Sequence, residues 1–142
     1  MQLVIAGRST GWTAILDEKL ASYKYRQDVT VLKNISNAEI AKLTAACYAL
    51  VYPVPPNVFP LALLWAIESN KAVIATGNTT TRAFTSAAAW AEENDTEDGF
   101  AKAMILLYKD EAKQQQLVQQ TREAAARYNR RQMLATAWDH IK

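Results

Sequence analysis

The chain has 142 residues, of which half are hydrophobic and 21% are charged. This length suits one domain with a single core, and the composition is typical of a globular protein and argues against disorder. Sixteen basic and 14 acidic residues leave a net charge of +2, a balance too even to indicate nucleic acid as a partner. The single cysteine, Cys47, excludes an internal disulfide, and we interpret it as a small core residue rather than a nucleophile.

No stretch approaches the roughly 20 apolar residues of a membrane-spanning helix, and the N-terminus lacks the features of a signal peptide. We therefore expect a cytoplasmic protein with no transmembrane segment. Four arginines gather near the C-terminus: Arg122, Arg127, Arg130 and Arg131. The favoured interpretation is a solvated helix face. The alternative is a patch for phosphate or anionic lipid, which would give peripheral contact at the inner membrane face.

Predicted strands and helices alternate along the chain. Apolar runs predict strands at residues 2–6, 29–32, 48–52, 72–75 and 88–91. Helical spacing of apolar residues predicts helices at 13–24, 37–46, 60–69, 96–109, 111–128 and 130–141. The first strand is expected to be buried, and Ser36 and Glu39 form a predicted capping box. The alternation is typical of a three-layer, Rossmann-like α/β domain with one parallel sheet of about five strands.

Ligands of such sheets bind beyond the carboxyl ends of the strands. The loops at that edge are residues 7–11, 33–35, 53–61 and 76–82. The loop at 53–61 leads into a helix whose first amide groups, on Leu61, Ala62 and Leu63, would attract phosphate or sugar oxygens. On the pattern alone, we favour the simpler interpretation that the prolines only stiffen this loop.

Most enzymatic constellations are absent from the sequence. The single histidine, His140, lies near the C-terminus, so neither a histidine-based triad nor a multi-histidine metal site can be assembled. No Walker-type loop and no G-x-G-x-x-G motif is present. The first strand ends in Gly7-Arg8 rather than in acidic residues, which argues against a magnesium-binding receiver domain.

The order of segments resembles the C-terminal domain of retaining group 1 glycosyltransferases of the two-Rossmann-domain (GT-B) type, over nearly the whole chain. The matching segments are residues 3–7, 29–40, 46–53, 66–75 and 94–110. The resemblance implies transfer of a sugar from a nucleotide diphosphate donor, as in polysaccharide biosynthesis. This half would bind the nucleotide-sugar donor and the other half the acceptor. A divalent metal is generally not needed in the family, so no cofactor is expected.

The chain departs from the family in the motif that reads "E-G-F-G-L-P-x-L-E". Asn57 and Trp65 replace the two glutamates, Val58 and Pro60 replace the two glycines, and Phe59 and Leu61 are retained. Asn57 could still hydrogen-bond a sugar, although without charge assistance. Trp65 cannot accept a hydrogen bond from ribose, and Pro60 has no amide hydrogen to offer.

We expect any donor to lie over Gly7 and Arg8, the 57–61 loop and the 78–81 loop. Arg8 and Arg82 are the best remaining cations for a diphosphate. The alternative for each of them is a side chain that is simply solvated. The substrate-binding candidates are Gly7, Arg8, Asn57, Val58, Phe59, Leu61, Trp65, Thr79, Thr80 and Arg82. No catalytic residue and no metal ligand is assigned.

The resemblance also implies a missing part. The family domain opens with a strand–helix unit that carries an arginine and a lysine for the diphosphate, and this unit would precede Gln2. We expect residues 1–142 to be one C-terminal domain of a longer chain, inactive without its N-terminal acceptor-binding domain. A natural truncation is the alternative.

Two other functions remain open. The first is a pseudo-enzyme that keeps the fold as a scaffold or regulatory partner of an active glycosyltransferase, which the replacements Asn57, Pro60 and Trp65 favour. The second is a nucleotide- or small-ligand-binding module unrelated to sugar transfer. The segment-by-segment resemblance makes this second alternative the less favoured of the two.

Overall fold

The computed structural model describes residues 2–53, 58–79, 81–82, 90–92 and 96–127. The predicted helix at 130–141, with His140, and the candidate residues Asn57 and Thr80 lie outside the described residues. The chain divides into two units, Met1–Lys42 and Leu43–Lys142. Each unit is described by itself.

The first unit contains a two-stranded parallel sheet. Strand β1 (Leu3–Gly7) pairs with β2 (Val29–Lys33), with Leu3 opposite Val29 and Gly7 opposite Lys33. Helix α1 (Trp12–Ala21) and a short 3₁₀ helix (Arg26–Asp28) connect the two strands. Parallel strands need a long connection of this kind, because the chain must return from the carboxyl end of β1 to the level of its amino end before β2 begins.

The prediction that the first strand is buried is wrong for the described structure. Leu3 is 38% and Val4 42% exposed, and only Ile5 among the five residues of β1 is partly buried. Helix α1 contains no buried residue, and Trp12 at its start is 76% exposed. An apolar run predicts a strand, but burial requires neighbours on both faces, which this unit does not supply to β1.

The second helix, α2 (Asn37–Ala46), begins with the predicted capping box, which is confirmed. The backbone amide of Glu39 donates to the Ser36 hydroxyl at 3.3 Å, and the amide of Ser36 donates to the Glu39 carboxylate at 2.8 Å. The Ser36 hydroxyl also donates to that carboxylate at 2.7 Å. These bonds lower the pKa of Glu39, because they favour its charged form.

The second unit is built on a three-stranded parallel sheet in the order β3-β4-β5. The strands are β3 (Ala49–Tyr52), β4 (Ala72–Thr76) and β5 (Trp90–Glu92). The helices are α3 (Leu61–Glu68), α4 (Glu97–Lys109) and α5 (Glu111–Arg127). Within the described residues, the predicted strands and helices are therefore present close to their expected positions.

All five residues of β4 are buried, and its four apolar residues divide between two clusters. Val73 and Ala75 pack with Leu63, Ala66 and Ile67 of α3. Successive side chains of a strand point to opposite faces, so Ala72 and Ile74 meet a different set of helices. Their cluster is completed by Ala103 and Leu107 of α4 and Leu117 of α5. This unit consequently has the expected three layers, with helices on both faces of the sheet.

The expectation of one sheet of about five strands holds only in part. Five parallel-paired strands are described, but they form a two-stranded and a three-stranded sheet. Apolar runs locate the strands, whereas the pairing between them depends on tertiary placement of backbone donors and acceptors, which a single strand's pattern does not contain.

Candidate functional site

The carboxyl end of β3 leads into a tight turn at Pro60 before α3 begins. Pro60 has φ −87° and ψ 62°, the geometry of an inverse γ-turn, and the amide of Leu61 donates to the Phe59 carbonyl at 3.0 Å. Of the three amide groups that the sequence suggested for ligand oxygens, the one on Leu61 is therefore already used. Ala62 and Leu63 keep the amides that the first turn of a helix leaves without intrahelical acceptors.

The side chains around this turn differ strongly in exposure. Phe59 is 64% and Val58 44% exposed, whereas Pro60 is buried. Leu61 and Trp65 are partly buried and stand four residues apart, on the same face of α3. The turn thus combines exposed apolar surface with the positive end of a helix, a combination suited to a ligand that carries both a ring and an anionic group.

The loop after β4 is pinned by its own side chains. The Asn78 side-chain carbonyl accepts from the backbone amide of Thr81 at 3.0 Å, and the Thr81 hydroxyl donates to the Thr76 carbonyl. Thr81 is fully buried. The sequence signal for this pinning is an asparagine three residues before a threonine at the start of a helical turn, as in an N-cap.

Arg82 follows directly on this loop, and its side chain is exposed. Its Nε donates to the Gly77 carbonyl at 2.8 Å, which holds the guanidinium beside the carboxyl end of β4. Thr79 is exposed in the same loop. This bond uses one of the five N–H donors of the guanidinium.

Sequence reasoning did not single out Tyr52, the last residue of β3. Its ring packs partly buried against the cluster of Leu63, Ala66 and Ile67. Burial raises the pKa of Tyr52, because the phenolate would be poorly solvated. The only signal available beforehand was its position, at a strand end immediately before Pro53.

In the first unit, the loops after β1 and β2 are tied together by Asn34. This residue has φ 56°, a left-handed conformation that asparagine tolerates better than most residues. Its amide donates to the Gly7 carbonyl at 2.8 Å, and its side-chain carbonyl accepts from the Ser9 amide at 2.9 Å. Its Nδ2 donates to the Ser9 hydroxyl at 3.0 Å.

Gly7 and Arg8 lie at this end of β1, and the Arg8 side chain is exposed. A Cβ atom added at Gly7 would meet no atom within 4 Å, so packing against the described residues does not require glycine there. The role of Arg8 toward a ligand stays a prediction.

The structure brings together only part of the predicted set. Strands β3 and β4 are parallel neighbours, so the loops at their carboxyl ends share one edge of the sheet. That edge carries Val58, Phe59, Leu61, Trp65, Thr79 and Arg82. Gly7 and Arg8 belong to the other unit, and Asn57 and Thr80 lie outside the described residues.

Two further searches covered the described part of the chain. No group of three or more histidine, cysteine, aspartate or glutamate residues there could hold a metal ion. No helix within the same residues has both the length and the apolar character to cross a membrane.

All pairings among the described strands are parallel, and the strands alternate with helices as in a parallel α/β fold. The family model described as glycosyl transferases group 1 matches residues 1–124. The chain therefore belongs to the group 1 glycosyltransferase family. A search of curated proteins found no match.

Proposed function

We propose that this chain is the donor-binding domain of a glycosyltransferase that uses a nucleotide-diphosphate sugar. The observation that carries the proposal is the family match over residues 1–124, which spans both described units. The geometry at the ends of β3 and β4 supports it, because that edge offers helix amides, a held guanidinium and an exposed ring.

Each of these groups has a task in the proposed site. The amides of Ala62 and Leu63, together with the positive end of the helix dipole, would stabilise a phosphate oxygen. Arg82 supplies positive charge from the neighbouring loop, with its guanidinium already bound to the Gly77 carbonyl. The exposed ring of Phe59 offers a face for a base or a sugar.

Calorimetric titration of the full-length protein with UDP-, GDP- and ADP-sugars tests the donor site. We expect one nucleotide class to bind, and Arg82→Ala to weaken binding about tenfold or more, because a charge-assisted contact contributes about 1.5–3 kcal/mol. Lys109→Ala is the matched control, since Lys109 is an exposed cation at the end of α4. Absence of binding to all three donor classes rejects the proposal.

A pseudo-enzyme is the second candidate, and one structural observation favours it. The Pro60 turn uses the Leu61 amide internally, so the turn offers fewer donors than a helix start preceded by glycine. The replacements Asn57 and Trp65 point the same way. Sugar transfer by the full-length protein to its acceptor separates the candidates: transfer that Asn57→Ala abolishes rejects the pseudo-enzyme.

We also propose that the domain is completed by a strand–helix unit outside the 142 residues, with an arginine and a lysine for the diphosphate. The exposure of β1 and the absence of any buried residue in α1 support this, because a parallel strand of apolar residues is ordinarily covered.

Cys47 is a free thiol, which suits the proposed cytoplasmic location.

A further inference from the structure

A cavity lies in the unit Leu43–Lys142, at the amino ends of β3 and β4. Its volume is about 570 Å³, within the range of small-molecule sites. The lining comes from the segments just before the two strands and from one face of α5. It consists of Ala46, Cys47, Tyr48, Asn70, Lys71, Gln114, Gln115, Val118, Gln119 and Arg122.

The lining is positively charged and rich in hydrogen-bonding groups. Lys71 and Arg122 are its two charged residues, and no carboxylate is among the lining residues. Three glutamines and Asn70 add carboxamide groups. Glu123, one residue after Arg122 on α5, accepts a hydrogen bond from the Gln119 amide at 3.2 Å. The cavity therefore favours an anion.

Lys71 is held at the cavity by the end of α3. Asn70 adopts φ 53° there, its amide donates to the Ile67 carbonyl at 3.1 Å, and the Lys71 amide donates to the Ala66 carbonyl at 2.9 Å. This left-handed helix end fixes the direction in which the chain enters β4. Lys71 is partly buried, and no ion pair links it to a described residue.

The charge of Lys71 reaches the neighbouring thiol. Burial raises the pKa of Cys47, and the Lys71 ammonium opposes that rise. The Cys47 thiol donates to the Thr44 carbonyl at 3.1 Å. Cys47 is therefore a reporter inside the cavity, within electrostatic reach of its lysine.

Helix α5 turns one face to the core of the unit and a neighbouring, polar face to the cavity. Leu117 and Thr121 are buried in the unit, whereas Gln115, Gln119 and Arg122 follow one another at helical spacing along the cavity. On the opposite wall, the Tyr48 hydroxyl donates to the Leu107 carbonyl at 3.3 Å. The cavity thus has a polar lining on a helix whose neighbouring face belongs to the core.

We propose that this cavity binds a phosphate-bearing small molecule through Lys71 and Arg122. It lies at the amino ends of β3 and β4, whereas the donor site lies at their carboxyl ends, so the two sites are separate. The inference does not depend on the proposed function. A phosphate suits the cavity because two cations and several amide groups match its charge and its acceptor oxygens.

The test measures alkylation of Cys47 by iodoacetamide, followed by mass spectrometry of the peptide that contains it. Inorganic pyrophosphate is the probe. At ten times its dissociation constant, about one site in eleven stays empty, so we expect alkylation to slow about tenfold. Sodium chloride at equal ionic strength controls for screening, and equal slowing by both salts overturns the proposal.

Lys71→Gln and Arg122→Gln are expected to abolish the protection by pyrophosphate, while Lys109→Gln retains it. Both cavity variants change partly or fully exposed side chains, and circular dichroism checks that they fold. Protection that survives in both variants contradicts the proposal. So does protection by vesicles of phosphatidylcholine and phosphatidylglycerol without protection by pyrophosphate, because that result assigns the charges to a membrane surface.

Discussion

Strands β1 and β4 have nearly the same sequence and opposite surroundings. β1 reads Leu-Val-Ile-Ala-Gly, and four of its five residues are exposed. β4 reads Ala-Val-Ile-Ala-Thr, and all five of its residues are buried. Both are parallel strands, but β4 has strand neighbours on both edges and helices on both faces, whereas β1 pairs only with β2 among the strands that the structure describes.

The contrast shows that an apolar sequence does not by itself make a strand buried. The strands and helices that cover it must also be present. In parallel sheets both faces are normally covered, and β4 meets this condition within its own unit. β1 carries the same signal without the cover, which is the reason for proposing an additional strand–helix unit.

The largest expected effect is the loss of core packing at β4. Ile74→Ala should lower the free energy of unfolding by about 2–4 kcal/mol, because Ile74 is 1% exposed and the removed atoms leave a cavity. Val4→Ala should cost less than about 1 kcal/mol in the same chain, because Val4 is 42% exposed. Chemical denaturation measures both.

The same pair tests the proposed additional unit. In a longer protein that contains it, Val4→Ala should become more costly while Ile74→Ala stays the same. An unchanged cost of Val4→Ala in the longer protein would falsify the proposal that β1 is covered there.

Next come Asn34 and Asn70, which among the described residues are the asparagines with positive φ, one in each unit. Asn34→Gly should destabilise by about 1 kcal/mol, because the two side-chain bonds to Ser9 are lost. Asn70→Gly should change stability by less than about 0.5 kcal/mol, since glycine adopts positive φ readily. Thermal denaturation of both variants separates the effects, and equal costs would contradict the assignment of Asn34 as a tether.

Two helix caps differ in their pH dependence. Ser36→Ala and Thr96→Ala each remove a cap worth about 1 kcal/mol, from α2 and α4. Only the first cap involves a titrating group. Hydrogen bonds from Ser36 lower the pKa of Glu39 in the folded state, so this stabilisation is present above the ordinary value of 4.5 and is lost as pH falls through the lowered pKa.

Stability should therefore be measured for both variants between pH 7 and pH 3. The difference between Ser36→Ala and the unmodified chain should shrink toward acid pH, while the difference for Thr96→Ala should stay constant. Parallel curves for the two variants would refute a role for the Glu39 carboxylate.

The smallest effect concerns the ion pair of the first unit. Lys33 Nζ lies 2.6 Å from Asp17 Oδ2, and the two side chains are 39% and 51% exposed. Asp17→Asn should cost less than about 1 kcal/mol, and the cost should vanish in 1 M salt, because exposed pairs are screened. Glu18→Gln, at an exposed neighbouring position, is the control and should have no effect. A cost at Asp17 that persists in high salt would mean that the side chain acts through packing.

Part of the candidate site could be predicted from the sequence. The loops at 58–61 and 76–82 follow from strand ends and the rule for ligand edges, and the capping box from Ser36 and Glu39 is confirmed. The Pro60 turn could not be predicted, because the acceptor of the Leu61 amide depends on a backbone angle. The burial of Tyr52 and the cavity at Lys71 could not be predicted either, because their surroundings come from segments that are distant in the sequence.

The sequence by itself determined the strands, the helices, the alternation between them and the membership of the group 1 glycosyltransferase family. These depend on local periodicity and on the order of segments, which a linear chain carries in full. Only the tertiary structure decided which of two nearly identical strands is buried, how the five described strands divide between two sheets, and which polar groups of α5 line the same cavity as Lys71. Those outcomes depend on contacts between segments far apart in the chain, and the pattern within one segment does not specify its partners.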